Sequence, residues 1–227
     1  INTIATHKRH EQGWVDEVYT DLDKLLKRAI DARDNKEALS IAYNGNIIDL
    51  WEKIIEKNIN IDIGSDQTSL HNPWSGGYYP VGFSYDEANK ILHSNPEKFK
   101  LIVKESLKRH VNAINKLTKK GMYFFDYGNA FLLESSRAGA NIMNEKGNFK
   151  YSSYVQDIMG PMCFDYGFGP FRWVCASNNP EDLKVTDKIA CDILKQLIKT
   201  SPEEIKLQMQ DNINWTVSYT HLTLPTI

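Results

Sequence analysis

The 227-residue sequence is 41% hydrophobic and 25% charged with a formal net charge of −2, the proportions of a globular chain rather than a disordered or fibrous one. The balanced charge supplies no basic field of the kind that nucleic-acid or anionic-membrane binding relies on, and no apolar run approaches the roughly 18 residues of a membrane span. Cys163, Cys175 and Cys191 are odd in number and lack C-x-x-C spacing, which argues against a disulfide framework and a structural zinc site and fits a reducing cytoplasm.

In chain order, the first clear element is a helix opened at Thr20-Asp21-Leu22-Asp23. Thr20 is its expected cap, Leu22, Leu25, Leu26, Ala29 and Ile30 share one face, and it ends near Arg33. Residues 38–43 form a short apolar run suited to a buried strand. The breaker Asn44-Gly45-Asn46 separates it from a helix over 47–57, and residues 59–63 read as the next strand. That spacing predicts a parallel, right-handed βαβ unit. A long loop rich in Gly, Ser, Asn and Tyr then runs from Gly64 to Pro80, and such loops inside compact domains are more often functional than idle.

Ser84 with Glu87 predicts a capping box for a helix ending near Asn95. Asn95-Pro96 starts a longer helix carrying Phe99, Ile102, Val103, Leu107, Val111, Ile114 and Leu117, which Gly121 stops. Residues 122–125 are a further buried strand, Asp126-Tyr127-Gly128-Asn129 a polar turn, and a helix follows to about Ala138. Residues 139–150 read as an exposed connection, after which aromatic and glycine residues dominate from Tyr151. Two amphipathic helices are expected over 180–200 and 201–210.

Three polar loops thus follow three predicted strands: 44–46, 64–71 and 126–129. If those strands are parallel neighbours, the loops emerge on one edge of the sheet, where open α/β sheets bind their ligands. The groups on offer are amides, hydroxyls, the imidazole of His71, the rings of Tyr78 and Tyr79, and glycine backbone, a set suited to a polar, sugar-phosphate-like ligand. The bland alternative for each is also concrete: Asn44 and Gly45 make a tight turn, Asp126 caps a helix, Tyr78 packs. A G-x-G-x-x-G turn is absent. His93 and His110, on helices among charged neighbours, read as surface residues. Cys163 reads as a small buried hydrophobe. Arg172, between Phe171 and Trp173 after the turn at Gly169-Pro170, either aims a guanidinium at a carboxylate or stacks on Trp173.

Four segments carry a resemblance to a known family: Asp62-Ile63-Gly64-Ser65-Asp66-Gln67-Thr68-Ser69-Leu70-His71-Asn72-Pro73, Gly76-Gly77-Tyr78-Tyr79-Pro80, Phe125-Asp126-Tyr127-Gly128-Asn129, and Gly167 through Trp173. In content, order and spacing the chain resembles the urocanate hydratase (urocanase) family over about residues 9–215. The resemblance implies an α/β fold, a parallel sheet with flanking helices, as a partial Rossmann-like NAD domain plus part of a second, mainly helical core domain. Residues 1–154 would be the later part of the NAD domain, 155–216 the start of the return into the core domain, and 217–227 a non-native tail. The family's glycine-rich turn is expected before Ile1 and a further C-terminal lobe after Trp215.

The activity implied is hydration of urocanate to imidazolonepropionate in histidine breakdown, with tightly bound NAD acting as an electrophile and no net hydride transfer. Carried over by position, the NAD contacts are Asn46, Ile47, Gln67, Thr68, Ser69, Leu70, His71, Tyr78, Tyr79 and Tyr127, and Arg172 holds the substrate. No catalytic residue or metal ligand is assigned. The whole enzyme is expected to be a cytoplasmic homodimer, with this segment inactive alone; the alternative is a non-catalytic α/β nucleotide-binding module.

Overall fold

The computed structural model describes residues 3–66, 72–128, 130–162, 165 and 176–219, with side chains except at 204, 208, 215 and 217–219. The chain forms two compact units, residues 1–168 and 169–227.

After helix α1 (Thr3–Glu11), the first unit opens with a strand that the amino-acid pattern did not announce, β1 (Glu17–Tyr19). Helix α2 (Leu22–Asp34) follows, and its cap is Asp21 rather than the expected Thr20: Asp21 has extended backbone and its carboxyl accepts from Asp23 N and Lys24 N. The chain returns as β2 (Ile41–Tyr43), parallel to β1 with Glu17 opposite Ile41. The first βαβ unit is therefore β1-α2-β2.

Asn46 caps α3 (Ile47–Glu56), which buries Ile48, Trp51 and Ile54. The next strand is not at 59–63 but later, β3 (Ile63–Asp66). A Cβ at Gly64 would stand 2.8 Å from Met122 Sδ and 3.3 Å from the Trp51 ring, so a larger residue there would have to displace the Met122 side chain. Helices α4 (Tyr85–Ser94) and α5 (Pro96–Thr118) come next, and β4 (Tyr123–Asp126) lies parallel to β3, with Asp66 opposite Asp126. Helix α6 (Phe131–Arg137) leads to β5 (Ser152–Ser153), parallel to β4. Among the described residues β2 pairs with β1 and β3 with β4, so the expected unit of strand, α3 and strand is not one hydrogen-bonded ladder.

The caps of α4 and α5 match the sequence reading: Ser84 and Glu87 exchange side-chain and backbone bonds, and Asn95 accepts from Lys98 N. Helix α5 is the spine of the core. Phe99, Val103, Leu107, Val111 and Ile114 are wholly buried along it, each worth about 1.5–3 kcal/mol of apolar transfer. His110 is wholly buried with them, against the surface position expected for it. Its charged neighbours Lys108 and Arg109 misled, whereas the helical period sets position 110 in phase with 99, 103, 106 and 114.

A π-helical turn (Tyr154–Met159) and a single turn α7 (Gly160–Met162) follow β5. In the second unit α8 (Pro180–Ile198), capped by Asn179, packs against α9 (Glu203–Tyr219). Helix α9 does not stop near residue 210. It continues through 217–219, the first residues of the run set apart as a tail. Among the described residues no helix is long and apolar enough to cross a membrane.

Candidate functional site at the carboxyl ends of the strands

Strands β3 and β4 end together on two buried acids. Asp66 and Asp126 are register partners, 3% and 4% exposed, and Tyr127 N donates to Asp66 O across the rim at 3.1 Å. The Asp126 carboxyl accepts from Gly128 N at 3.0 Å and from Leu132 N at 3.5 Å, so it organises the turn into α6. Gly128 has φ +101°, and a Cβ there would meet Val155 Cγ2 at 2.5 Å. Only glycine allows both the left-handed turn and the close approach. Tyr127, 39% exposed, stacks on Tyr154 with centroids 4.9 Å apart and planes 4° from parallel.

The turn after β2 is tied to the loop beyond residue 71. Asn46 Oδ1 accepts from Ile48 N at 2.9 Å as the cap of α3, while its Nδ2 donates to Tyr79 O at 3.0 Å. Ile47 packs against the core. The loop is pinned at three further points. Trp74 Nε1 donates to Glu134 Oε2 of α6 at 2.9 Å, Val81 N donates to Ser106 Oγ of α5 at 3.1 Å, and the Tyr78 hydroxyl lies 3.2 Å from His110 Nδ1.

The two tyrosines differ sharply. Tyr78 is 2% exposed, and burial, then the Asp66 charge, hold its hydroxyl far above its usual pKa. Its ring is committed to the core. Tyr79 is half-buried with its ring 4.9 Å from Tyr85, and burial, then Tyr85, push it up to about 12.

His110 is the residue that sequence reasoning missed. Its Nε2 stands 3.7 Å from Asp66 Oδ2 and makes no hydrogen bond, and its ring is 4.9 Å from that of Phe131. The distance would admit an ion pair, but desolvation governs: burial pushes the imidazole down to about 3, so it is neutral.

Asn46 and Tyr79 are thus brought together, as are Asp66, Tyr78 and Tyr127 through backbone and through His110. Gln67, Thr68, Ser69, Leu70, His71, Asn129, Cys163, Cys175 and Arg172 lie outside the described residues. An apolar groove between α2 and residues 59–63, lined by Leu26, Ile30, Ile59 and Ile63, lies at the start of β3 instead of at this rim.

A family model described as the urocanase Rossmann-like domain matches residues 1–158. The chain belongs to the urocanase family. A second model, the urocanase C-terminal domain, matches residues 161–221. Probable urocanate hydratase of Dictyostelium discoideum is 51% identical over 221 residues, and urocanate hydratase of Mus musculus 50% identical over 224. Each alignment covers 95% of this chain and 33% of the relative, so the chain spans about a third of the length of these curated relatives. The Rossmann-like character of the urocanase domain points to a nucleotide-type cofactor, and open sheets of this class seat such ligands at the carboxyl ends of their strands.

Proposed function

We propose that the protein to which this segment belongs is a urocanate hydratase, adding water to urocanate to give imidazolonepropionate, with NAD as its cofactor at the rim of β3 and β4. The observation that carries the reading is the Asp66–Tyr127 hydrogen bond joining the ends of β3 and β4, beside the Asn46–Tyr79 bond that ties the turn after β2 to the segment following β3. The relatives at about 50% identity bear the same name.

The residues present fit that cofactor. Tyr127 offers a part-exposed aromatic face, and the Asn46 cap opens an α-helix whose first N–H groups favour negative charge. Asn46, Ile47, Gln67, Thr68, Ser69, Leu70, His71, Tyr78, Tyr79 and Tyr127 would hold it, Ile47 and Tyr78 through backbone. When bound, NAD supplies an electrophilic ring toward the substrate imidazole, with no net hydride transfer. The chain's own task is to fix donors in place beforehand, which lowers the reorganisation needed during reaction. Arg172 would pair with the urocanate carboxylate. We place the whole protein in the cytoplasm as a homodimer.

The test uses the intact protein. NAD released on denaturation and loss of the urocanate absorbance band are both expected. Intact protein that carries NAD without hydrating urocanate would make it a nucleotide-binding module instead.

A further inference from the structure

We propose that Tyr154 is a positioning residue for the cofactor: it holds the Tyr127 ring in place at the end of β4, so that a planar ring of the dinucleotide stacks on the side that Tyr154 leaves open. The inference rests on the reading of this rim as an NAD site.

Strand register brings the pair together. Phe125 and Asp126 of β4 stand opposite Ser152 and Ser153 of β5, so the next residues along the two parallel chains are Tyr127 and Tyr154. Neighbouring strands run about 4.8 Å apart, and side chains opposite one another leave on the same face. The two rings accordingly lie 4.9 Å apart and 4° from parallel, an offset stack. Tyr154 also meets the ring of Phe125, further back on that face, at 5.8 Å.

The backbone under Tyr154 is fixed as well. Tyr154 opens the π-helical turn, where Ser153 Oγ accepts from Gln156 N at 3.4 Å and Asp157 Oδ2 accepts from Ser153 N at 2.7 Å, closing the start of the turn on itself. Val155 fills the space beside Gly128, where a Cβ would meet its Cγ2 at 2.5 Å. Tyr127 and Gly128 thus both lean on this one turn, and π-helical turns, rare in general, gather at functional sites. Core packing does not account for the stack. Tyr127 stays 39% exposed with one face covered, Tyr154 is only half-buried, and the core around α5 includes neither ring. What the stack does is remove the freedom of an exposed ring at a strand end, so that a ligand ring meets it already in place and loses less entropy on binding.

The test measures NAD affinity and thermal unfolding of the intact protein for Tyr154→Met, Tyr154→Phe, Tyr127→Leu and the double variant Tyr127→Leu with Tyr154→Met. Methionine fills the volume without a plane, whereas phenylalanine keeps the plane and lacks only the hydroxyl. Tyr154→Met is expected to weaken NAD binding about fivefold, the scale of one aromatic pair, and Tyr154→Phe to keep the wild-type affinity. On the Tyr127→Leu background Tyr154→Met should cost nothing further, because its effect runs through that ring. The same cycle with ADP-ribose, which lacks the nicotinamide, identifies the stacked ring: a coupling kept there assigns the adenine, and one lost there the nicotinamide.

Equal NAD affinity in wild type and folded Tyr154→Met overturns the proposal, as does an equal loss in the Phe and Met variants. A full further loss on the Tyr127→Leu background overturns it too, since Tyr154 would then act through the fold at large. Should Tyr154→Met fail to fold, wild type decides by hydrogen exchange: NAD should slow exchange over residues 152–156, and unchanged exchange there overturns the proposal. Wild-type protein that binds no NAD defeats the cofactor reading itself, and this inference with it.

Discussion

Acidification should destabilise the protein through His110, and the size of the effect can be worked out. Its ring is fully buried and meets Asp66 from β3, Tyr78 from the loop and Phe131 from α6, with Arg109 beside it on α5. Two forces oppose each other. Attraction to Asp66 would favour the imidazolium and desolvation the neutral ring, and desolvation prevails, lowering the pKa from 6.5 to about 3. The folded state then refuses a proton that the unfolded chain accepts. The stability this contributes is complete above the unfolded pKa and is lost as pH falls below it toward about 3, at about 1.4 kcal/mol per pH unit. Between pH 7.5 and pH 5 that amounts to about 2 kcal/mol.

His110→Gln has no such group, so wild type should lose about 2 kcal/mol more than the variant over this interval, other titrations cancelling in the difference. Urea unfolding of both intact proteins at the two pH values, followed by tryptophan fluorescence with the denaturant slope held constant, reads it. Equal losses would refute the buried neutral imidazole. A wild type that gains stability relative to the variant on acidification would mean that the pair with Asp66 prevails.

Asn46→Ala removes the cap of α3 and the bond to Tyr79 O, and should cost about 1–2 kcal/mol in urea unfolding while weakening NAD binding; unchanged stability would deny Asn46 its bridging part. Gly128→Ala combines a left-handed backbone with a clash against Val155 and should destabilise by about 1–3 kcal/mol. Adding Val155→Ala should recover the clash but not the backbone cost, and a full recovery would show the turn to be free of strain. Arg172→Ala should raise the urocanate KM of the intact protein and leave its NAD content unchanged; an unchanged KM removes Arg172 from the substrate site.

The helix starts were legible in the amino-acid order because each is a bond closed within a few residues. Ser84 with Glu87, Asn95 with Lys98 and Asn46 with Ile48 need no distant partner, and the apolar phase of α5 is likewise local. The family, too, was readable from the motifs at 62–73, 76–80 and 125–129. The cap at Asp21 was displaced by one residue because Thr20 and Asp21 are both competent caps and only backbone geometry separates them.

Tertiary structure decided the rest. β1 and β5 have three and two residues, too few for periodicity to register, and exist because a parallel neighbour supplies their hydrogen bonds. β3 lies at Ile63–Asp66 because β4 supplies its hydrogen bonds there, with Ile63 opposite Tyr123. His110 went inside, and Tyr78 with it, because α5 is covered on that side by the loop and α6. Local bonds are written in adjacent residues, whereas burial depends on which elements come to lie against one another, and the chain's own order does not state that.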